Sequence, residues 1–262
     1  MPNPHGTPIW YELLTPDHQQ AKRFYDAVAG WEIGPKPDGE MDYRMIAAAD
    51  GQVGGVMELT EAMTTGGARP GWQFYIGVDD VDATADRITA AGGAVLMPPF
   101  DLPGVGRVAF VADPGGAPFY IMRGASDAES TVFAPTRPGH FAWNELWTGD
   151  AAQALAFYAE VFGWDNRETM PIGPTGGYHF IDLGGVRLGA VGQAQTPDKL
   201  PRWTFYVQVP DLAAAIEQVS VGGGSVNDGP HDVPGGSRVI IGTDAHGATF
   251  ALVGPGNQES IT

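Results

Sequence analysis

WYELLTPDHQQAKRFYDAVAGW (residues 10–31) and WNELWTGDAAQALAFYAEVFGW (residues 143–164) are two renderings of one pattern. Laid together without a gap at an offset of 133, Trp10, Glu12, Leu13, Thr15, Asp17, Phe24, Tyr25, Gly30 and Trp31 meet Trp143, Glu145, Leu146, Thr148, Asp150, Phe157, Tyr158, Gly163 and Trp164. An internal repeat is read first because it dictates the architecture. The second copy also serves as a comparison: it shows which residue types are placed twice and which are twice omitted.

Each copy follows one order of elements. Alternating apolar residues over 9–15 and 142–148 predict a strand. Asp17 and Asp150 then stand where an N-cap carboxylate meets free backbone amides. The following helices place Ala21, Phe24, Tyr25 and Val28 on one face, and Leu155, Tyr158, Val161 and Phe162 in the second copy. Gly30 and Gly163 suit C-caps. Hairpin strands are predicted over 43–48 with 53–58 and over 178–183 with 186–191, around DG and GG turns.

The second half of each copy opens with WQFYIGV (72–78) or WTFYVQV (203–209). Asp80 and Asp211 cap another helix, which ends at Gly92-Gly93 or Gly223-Gly224. A last strand pair follows in RVAFVADPGGAPFYIM (107–122) and RVIIGTDAHGATFALV (238–253), now at an offset of 131, a net deletion of two residues in the loops between. Each copy therefore reads strand–helix–three strands, twice. The chain is an α+β protein of four βαβββ modules, with domains at 1–123 and 140–262 joined by a linker at 124–139.

Composition sets the outer bounds. A chain of 262 residues with 43% hydrophobic content can bury a sizeable core. It has no cysteine, which excludes disulfides, thiolate metal sites and cysteine nucleophiles. The opening MPNPHGTPIW lacks the basic and apolar regions of a secretory signal, and no apolar run approaches the roughly 20 residues of a membrane span. A cytoplasmic location is the expectation. A net charge of −17 argues against nucleic acid and anionic membranes as partners and favours solubility. The 38 glycines and 22 prolines lie between periodic apolar segments, a pattern of tight turns.

Three motifs recur in order: D-x6-FY-x4-GW (17–31 and 150–164), V-D-D-V or V-P-D-L (78–81 and 209–212), and D-P-G-G or D-A-H-G (113–116 and 244–247). With them the chain resembles the vicinal oxygen chelate superfamily, which includes glyoxalase I, bleomycin-resistance proteins and extradiol dioxygenases. The resemblance covers nearly the whole chain. It implies two curved mixed sheets with helices on the convex side and ligands on the concave side. Fold kinship alone does not establish activity.

In metal-dependent members the ligands come from the first strand, the strand before the second helix and the last strand. The resemblance puts Trp10, Gln73 and Tyr120 at those places in one copy, and Trp143, Thr204 and Ala251 in the other. A divalent ion favours imidazole or carboxylate donors, and none of the six is a good one. No metal or other cofactor is expected.

The histidines do not repair the set. His140, in GHF, stands three residues before Trp143, an odd step that turns it to the other face of a regular strand; its counterpart is Thr7, and it reads as a linker-end residue. His5, His18, His231 and His246 fall in an arm, a helix start and two loops, where solvation is the simplest reading. His179 lies opposite Arg44 on a predicted strand, and its register decides whether it lines a pocket.

Glu12 and Glu145 are the candidate catalytic residues, each two positions beyond a tryptophan and so on its face, with Leu13 and Leu146 towards the helices. A carboxylate among aromatics is costly unless paired or functional. It could serve as a general base, or it could be structural, with Arg107 and Arg238 as the natural ion-pair partners. The candidate ligand-binding set is Trp10, Gln73, Tyr75, Arg107, Tyr120, Trp143, His179, Thr204, Tyr206 and Arg238. Trp147, Trp72, Trp203, Phe74 and Phe205 belong to either core or pocket, while Trp31 and Trp164 suit the core. The D-P-G-G segment lacks the Lys-Ser/Thr pair of a phosphate loop.

These readings predict a protein that binds a small organic molecule in an aromatic-lined pocket without a metal, as a monomer or homodimer. The alternatives are a metal-free enzyme with Glu12 or Glu145 carrying a proton, or a metal-dependent lyase or dioxygenase.

Overall fold

The computed structural model describes residues 3–38, 42–172, 176–194 and 201–256. The first copy runs β1 (Pro8–Thr15), α1 (His18–Ala29), β2 (Glu32–Ile33), β3 (Tyr43–Ala48), β4 (Gly51–Glu58), α2 (Glu61–Thr65), β5 (Gly71–Gly77), α3 (Val81–Ala90), β6 (Ala94–Leu102), β7 (Gly106–Ala112) and β8 (Pro118–Gly124). The second runs β9 (Phe141–Thr148), α4 (Ala151–Phe162), β10 (Thr169–Ile172), β11 (Gly176–Leu183), β12 (Val186–Gln193), β13 (Arg202–Gln208), α5 (Leu212–Val221), β14 (Ser225–Val233), β15 (Ser237–Thr243) and β16 (Thr249–Pro255). The one-turn helix α2 has no place in the expected order of elements, and β2, β6, β10 and β14 are strands for which the sequence reading supplied a count but no range.

The helices start and stop for the reasons read from the sequence. Asp17 Oδ1 accepts the amides of Gln19 at 2.8 Å and Gln20 at 2.9 Å. Those bonds hold its carboxyl below the usual carboxylate range, that of Gln20 most of all. Asp150 does the same for the Gln153 amide at 2.9 Å, as do Asp80 for Ala83 and Asp211 for Ala214, each at 3.0 Å. Gly30 and Gly163 end α1 and α4 with φ of 69° and 73°, in the left-handed region that a side chain disfavours.

The strands form two curved, mixed, eight-stranded sheets, ordered β2-β3-β4-β1-β5-β8-β7-β6 and β10-β11-β12-β9-β13-β16-β15-β14. In every module the first strand pairs in parallel with the last: β1 with β4, β5 with β8, β9 with β12 and β13 with β16. The intervening contacts are antiparallel hairpins, such as β3 with β4 and β11 with β12. The helix that opens each module supplies the crossover that parallel pairing demands.

By contact the chain divides into two compact units. One comprises Met1–Trp10, Gln73–Ser130 and Trp143–Trp203; the other comprises Tyr11–Trp72, Thr131–Ala142 and Thr204–Thr262. Each unit thus draws one module from each copy. In the first, Tyr158 and Phe162 of α4 meet Phe119 of β8 at 5.8 and 5.7 Å, and Trp203 meets both Tyr158 and Phe74. In the second, Phe24 and Tyr25 of α1 meet Phe250 of β16 at 5.4 and 6.2 Å, and Tyr11 stacks on Phe141 at 3.6 Å. Burial of each such ring contributes roughly 1.5–3 kcal/mol. Trp31 and Trp164 lie in these cores at 4% and 3% exposure, as expected.

Candidate functional site

Strand alternation decides which side chains can meet a ligand. On β9, Leu146 and Thr148 are buried towards α4, so Trp143, Glu145 and Trp147 take the opposite face. On β11 the partners on that face are Tyr178 and Phe180. The Trp143 indole N–H donates to the Tyr178 hydroxyl at 2.9 Å, and that hydroxyl donates to Glu145 Oε1 at 2.6 Å. The phenol spans β12, where Ala190 is the register partner of Glu145. Burial first, then the charge of Glu145, pushes the Tyr178 hydroxyl well above its ordinary range, so it remains a donor.

Four rings surround this chain of hydrogen bonds. Tyr178 lies 6.4 Å from Trp143, 5.9 Å from Trp147 and 5.6 Å from Phe180. Trp147 rests on Gly192, where a Cβ would stand 2.5 Å from the indole. The Arg187 guanidinium sits 4.3 Å above the Phe180 ring and pairs with Asp182 at 3.0 Å and Glu168 at 2.8 Å. Glu145 itself is 6% exposed.

A second aromatic group in the same unit gathers other expected residues. Tyr75 and Tyr120 stack at 4.4 Å, Phe110 lies 4.6 Å from Tyr120, and Trp10, Phe100, Leu102 and Met122 pack against them. Gln73 alternates with the buried Trp72 and Phe74 and so shares the face of Tyr75. Trp10, Tyr75 and Tyr120 thus lie in one aromatic group, with Gln73 on the face of Tyr75, while Trp143 and Glu145 belong to another.

In the other unit, Glu12 is 2% exposed and pairs with Gly55 in the β1–β4 ladder. The Tyr43 phenol lies directly on Gly55, in closer contact than any Cβ there would allow. Tyr43 and Glu12 thus both border Gly55, at the positions that Tyr178 and Glu145 take in the second copy. Tyr206, also buried, is the register partner of Ala251, and Thr204 alternates with Trp203 and Phe205 to share its face.

Three expectations are corrected. Arg107 alternates with Val108 and Phe110, so it leaves the aromatic group for the α3 side. It clamps Asp82 at 2.6 and 2.8 Å and reaches Asp101 at 3.0 Å, in place of the glutamate partner expected. Arg238 likewise faces Asp232, its β14 register neighbour, at 3.2 Å. His179 shares its face of β11 with the buried Ile181 and meets Thr169 Oγ1 at 3.0 Å; the neighbour that meets Trp143 and Glu145 is Tyr178. The signal for Tyr178 was present, since Tyr43 and Tyr178 recur at the offset of 135 that relates Arg44 to His179.

His18 is less solvated than expected, and His140, read as a linker-end residue, is buried. His140 is 0% exposed, with Nδ1 2.7 Å from the Thr131 carbonyl and Nε2 2.7 Å from Asp50 Oδ1. Arg137 holds the other oxygen of Asp50; these contacts, His140 foremost, keep Asp50 below the usual carboxylate range. His18 is buried 3.8 Å from Asp42, which grips Arg44 at 2.8 and 2.9 Å.

The six positions that the resemblance assigns to metal ligands (Trp10, Gln73, Tyr120, Trp143, Thr204 and Ala251) carry indole, amide, phenol, hydroxyl and methyl groups, a donor set that does not fit a divalent ion. At Trp143 the group projected is an N–H donor, already given to Tyr178. Among the described residues, no three His, Asp or Glu side chains gather into a metal-holding group.

Duplicated βαβββ modules, parallel first-to-last pairing and aromatic faces beside repeated glutamates define a class of protein, one in which two tandem copies share a single design. The chain belongs to the Glyoxalase/Bleomycin resistance protein/Dioxygenase superfamily, whose family model matches residues 8–121 and again 137–252. CFP32 of Mycobacterium bovis, provisionally named a glyoxylase, is 33% identical over 256 residues, 97% of either chain. DauV of Streptomyces sp. strain C5, named an anthracycline biosynthesis protein, is 31% identical over 264 residues, 95% of this chain and 93% of DauV.

Solved structures agree on the fold. A Mn(II)-bound glyoxalase from Novosphingobium aromaticivorans superposes with a TM-score of 0.65 at 17% identity, over 95% of this chain and 82% of that one. The 2,3-dioxygenase LapB from Pseudomonas sp. KL28 gives 0.64 at 14% identity, over 97% and 93%. At such identities the likeness concerns the fold alone. No helix among the described residues is long and apolar enough to cross a membrane.

Proposed function

We propose that this member of the superfamily binds a small organic molecule against the aromatic face of Trp143, Trp147, Tyr178 and Phe180, without a metal. The observation that carries the reading is the hydrogen-bond chain from Trp143 through Tyr178 to Glu145, ending at 2.6 Å on a nearly buried carboxylate. Rings supply apolar area and shape, and a single oriented carboxylate supplies specificity. The kinship with DauV, an anthracycline biosynthesis protein, favours a planar aromatic ligand.

The same short bond favours a second reading, in which Glu145 carries a proton for a bound substrate and Tyr178 holds it in place. Titration with an anthracycline, followed by tryptophan emission, tests the first. Saturable quenching should persist after chelator treatment and weaken in Tyr178→Phe. Stoichiometric metal in protein purified without chelator, with binding abolished on its removal, would overturn the metal-free reading. Turnover of the ligand that is lost in Glu145→Gln while binding persists would establish the second.

A further inference from the structure

We infer that the outer edge of β6 is a self-association surface, on which a second copy of this chain docks through Val95, Leu96 and Met97. β6 ends its sheet, in the order β8-β7-β6, so one side of it carries no strand among the described residues. Its first five residues, Ala94 to Pro98, are all exposed. Val95, Leu96 and Met97 stand at 37%, 54% and 41%, and they alone adjoin one another among the exposed large hydrophobic side chains of the described residues. The second copy is an internal control. There β14 holds the same edge at the offset of 131, and Ser225, Val226, Asn227 and Asp228 stand where the first copy has Ala94, Val95, Leu96 and Met97. The fold thus tolerates polar residues at this edge, and an unbroken apolar run left in water there marks an interface.

Charge and symmetry identify the occupant. With 31 acidic and 14 basic residues, two copies repel each other over most of their surfaces. Residues 94–100 (AVLMPPF) carry no charge, so two copies can meet there without stripping water from an ion. The first charges beyond the strip are matched within the chain: Asp101 pairs with Arg107 at 3.0 Å, Arg107 with Asp82 at 2.6 Å, and Arg123 with Asp127 at 3.0 Å. A two-fold axis lays each run on the other, because an isologous contact needs only one self-complementary patch. Register shifts at Leu96 and at Pro98-Pro99 interrupt the β6–β7 ladder, and proline has no amide to give. The contact is therefore made by side chains and does not extend the sheet. A strip this short covers less than the about 800 Å² per partner of a standard interface, so the association is reversible and of micromolar strength.

Sedimentation velocity on the full chain, from about 1 to about 500 μM at physiological salt, tests this. The sedimentation coefficient should rise with concentration from that of a monomer towards that of a dimer. Added salt should strengthen the association, because it screens the repulsion between two acidic copies. Leu96→Asp and Met97→Asp change exposed side chains and leave the core untouched. Each should weaken dimerisation by about tenfold or more, whereas Asn227→Asp, at the equivalent edge of the second copy, should alter it by less than about twofold. Melting followed by circular dichroism shows that each variant is folded. A chain that stays monomeric throughout would overturn the inference and leave the strip to a different partner. So would a dimer that resists both β6 changes, or one that dissociates as salt is added.

Discussion

Asp113 of the first copy accepts the hydroxyl of Tyr158 from the second at 3.2 Å, deep in one compact unit. The Trp203 indole N–H donates to the same hydroxyl at 3.1 Å, and Asp113 Oδ1 takes the Ala117 amide at 2.8 Å. The other unit repeats the arrangement with the copies exchanged: Tyr25 donates to Asp244 at 3.1 Å and receives Trp72 at 3.0 Å. The FY and D-x-x-G motifs are therefore two halves of one contact.

Tyr158→Phe removes the central hydroxyl and leaves a buried carboxylate oxygen and an indole N–H without it. The expected loss is about 1–3 kcal/mol, the cost of stranding buried polar groups. Tyr25→Phe should cost a similar amount. Urea unfolding of both variants provides the measurement; a loss below a few tenths of a kcal/mol in either would contradict the role assigned to the hydroxyl.

Burial raises the pKa of Asp113 above its ordinary value, more than its hydrogen bonds lower it. A carboxyl that binds its proton more tightly when folded contributes stability below the unfolded pKa and loses it as pH rises through the folded one. Other acids, such as Asp17, titrate in the opposite sense. The informative quantity is the difference between wild type and Asp113→Asn. Melting temperatures across the acid range should show wild type losing ground to the variant from about pH 4 upwards before levelling off. A pH-independent difference would contradict the shift.

Gly192→Ala places a methyl group 2.5 Å from the Trp147 ring, too close for the indole to remain where it is. Overpacking of this kind costs about 1–3 kcal/mol. Trp147 emission should shift and probe binding should weaken. Gly55→Ala should disturb Tyr43 in the same way. Unchanged emission with unchanged affinity would place Trp147 outside the ligand face.

Tyr178→Phe keeps the ring and removes both hydrogen bonds at its hydroxyl. Stability should fall by about 1 kcal/mol, while affinity for an aromatic probe should fall several-fold, because Glu145 loses its orienting donor. A variant that loses stability alone would mark Tyr178 as structural.

Much of this was legible in the repeat. Asp17, Asp80, Asp150 and Asp211 cap the helices they were assigned, and the succession of strands and helices along each copy follows the apolar periodicity. Alternation also grouped Trp143 with Glu145. It could not say whether Tyr178 or His179 joins them, because adjacent residues exchange faces with a one-step change of register. The irregularity between Ile181 and Asp182 is of that kind. Arg107 was misassigned for another reason: a long side chain finds the nearest carboxylates, and Asp82 and Asp101 are neighbours only once α3 and β6 have packed beside β7.

The amino-acid order by itself determined the four modules, their caps and turns, and the family to which the chain belongs, since each depends on contacts a few residues apart or on a pattern repeated within the chain. Tertiary structure alone decided that each compact unit takes one module from either copy, and that Tyr178 closes on Glu145. It also decided that His140, read as a linker-end residue, is buried against Asp50. Those pairings join residues tens to more than a hundred positions apart, and which of several compatible partners is met depends on how curved sheets pack against helices.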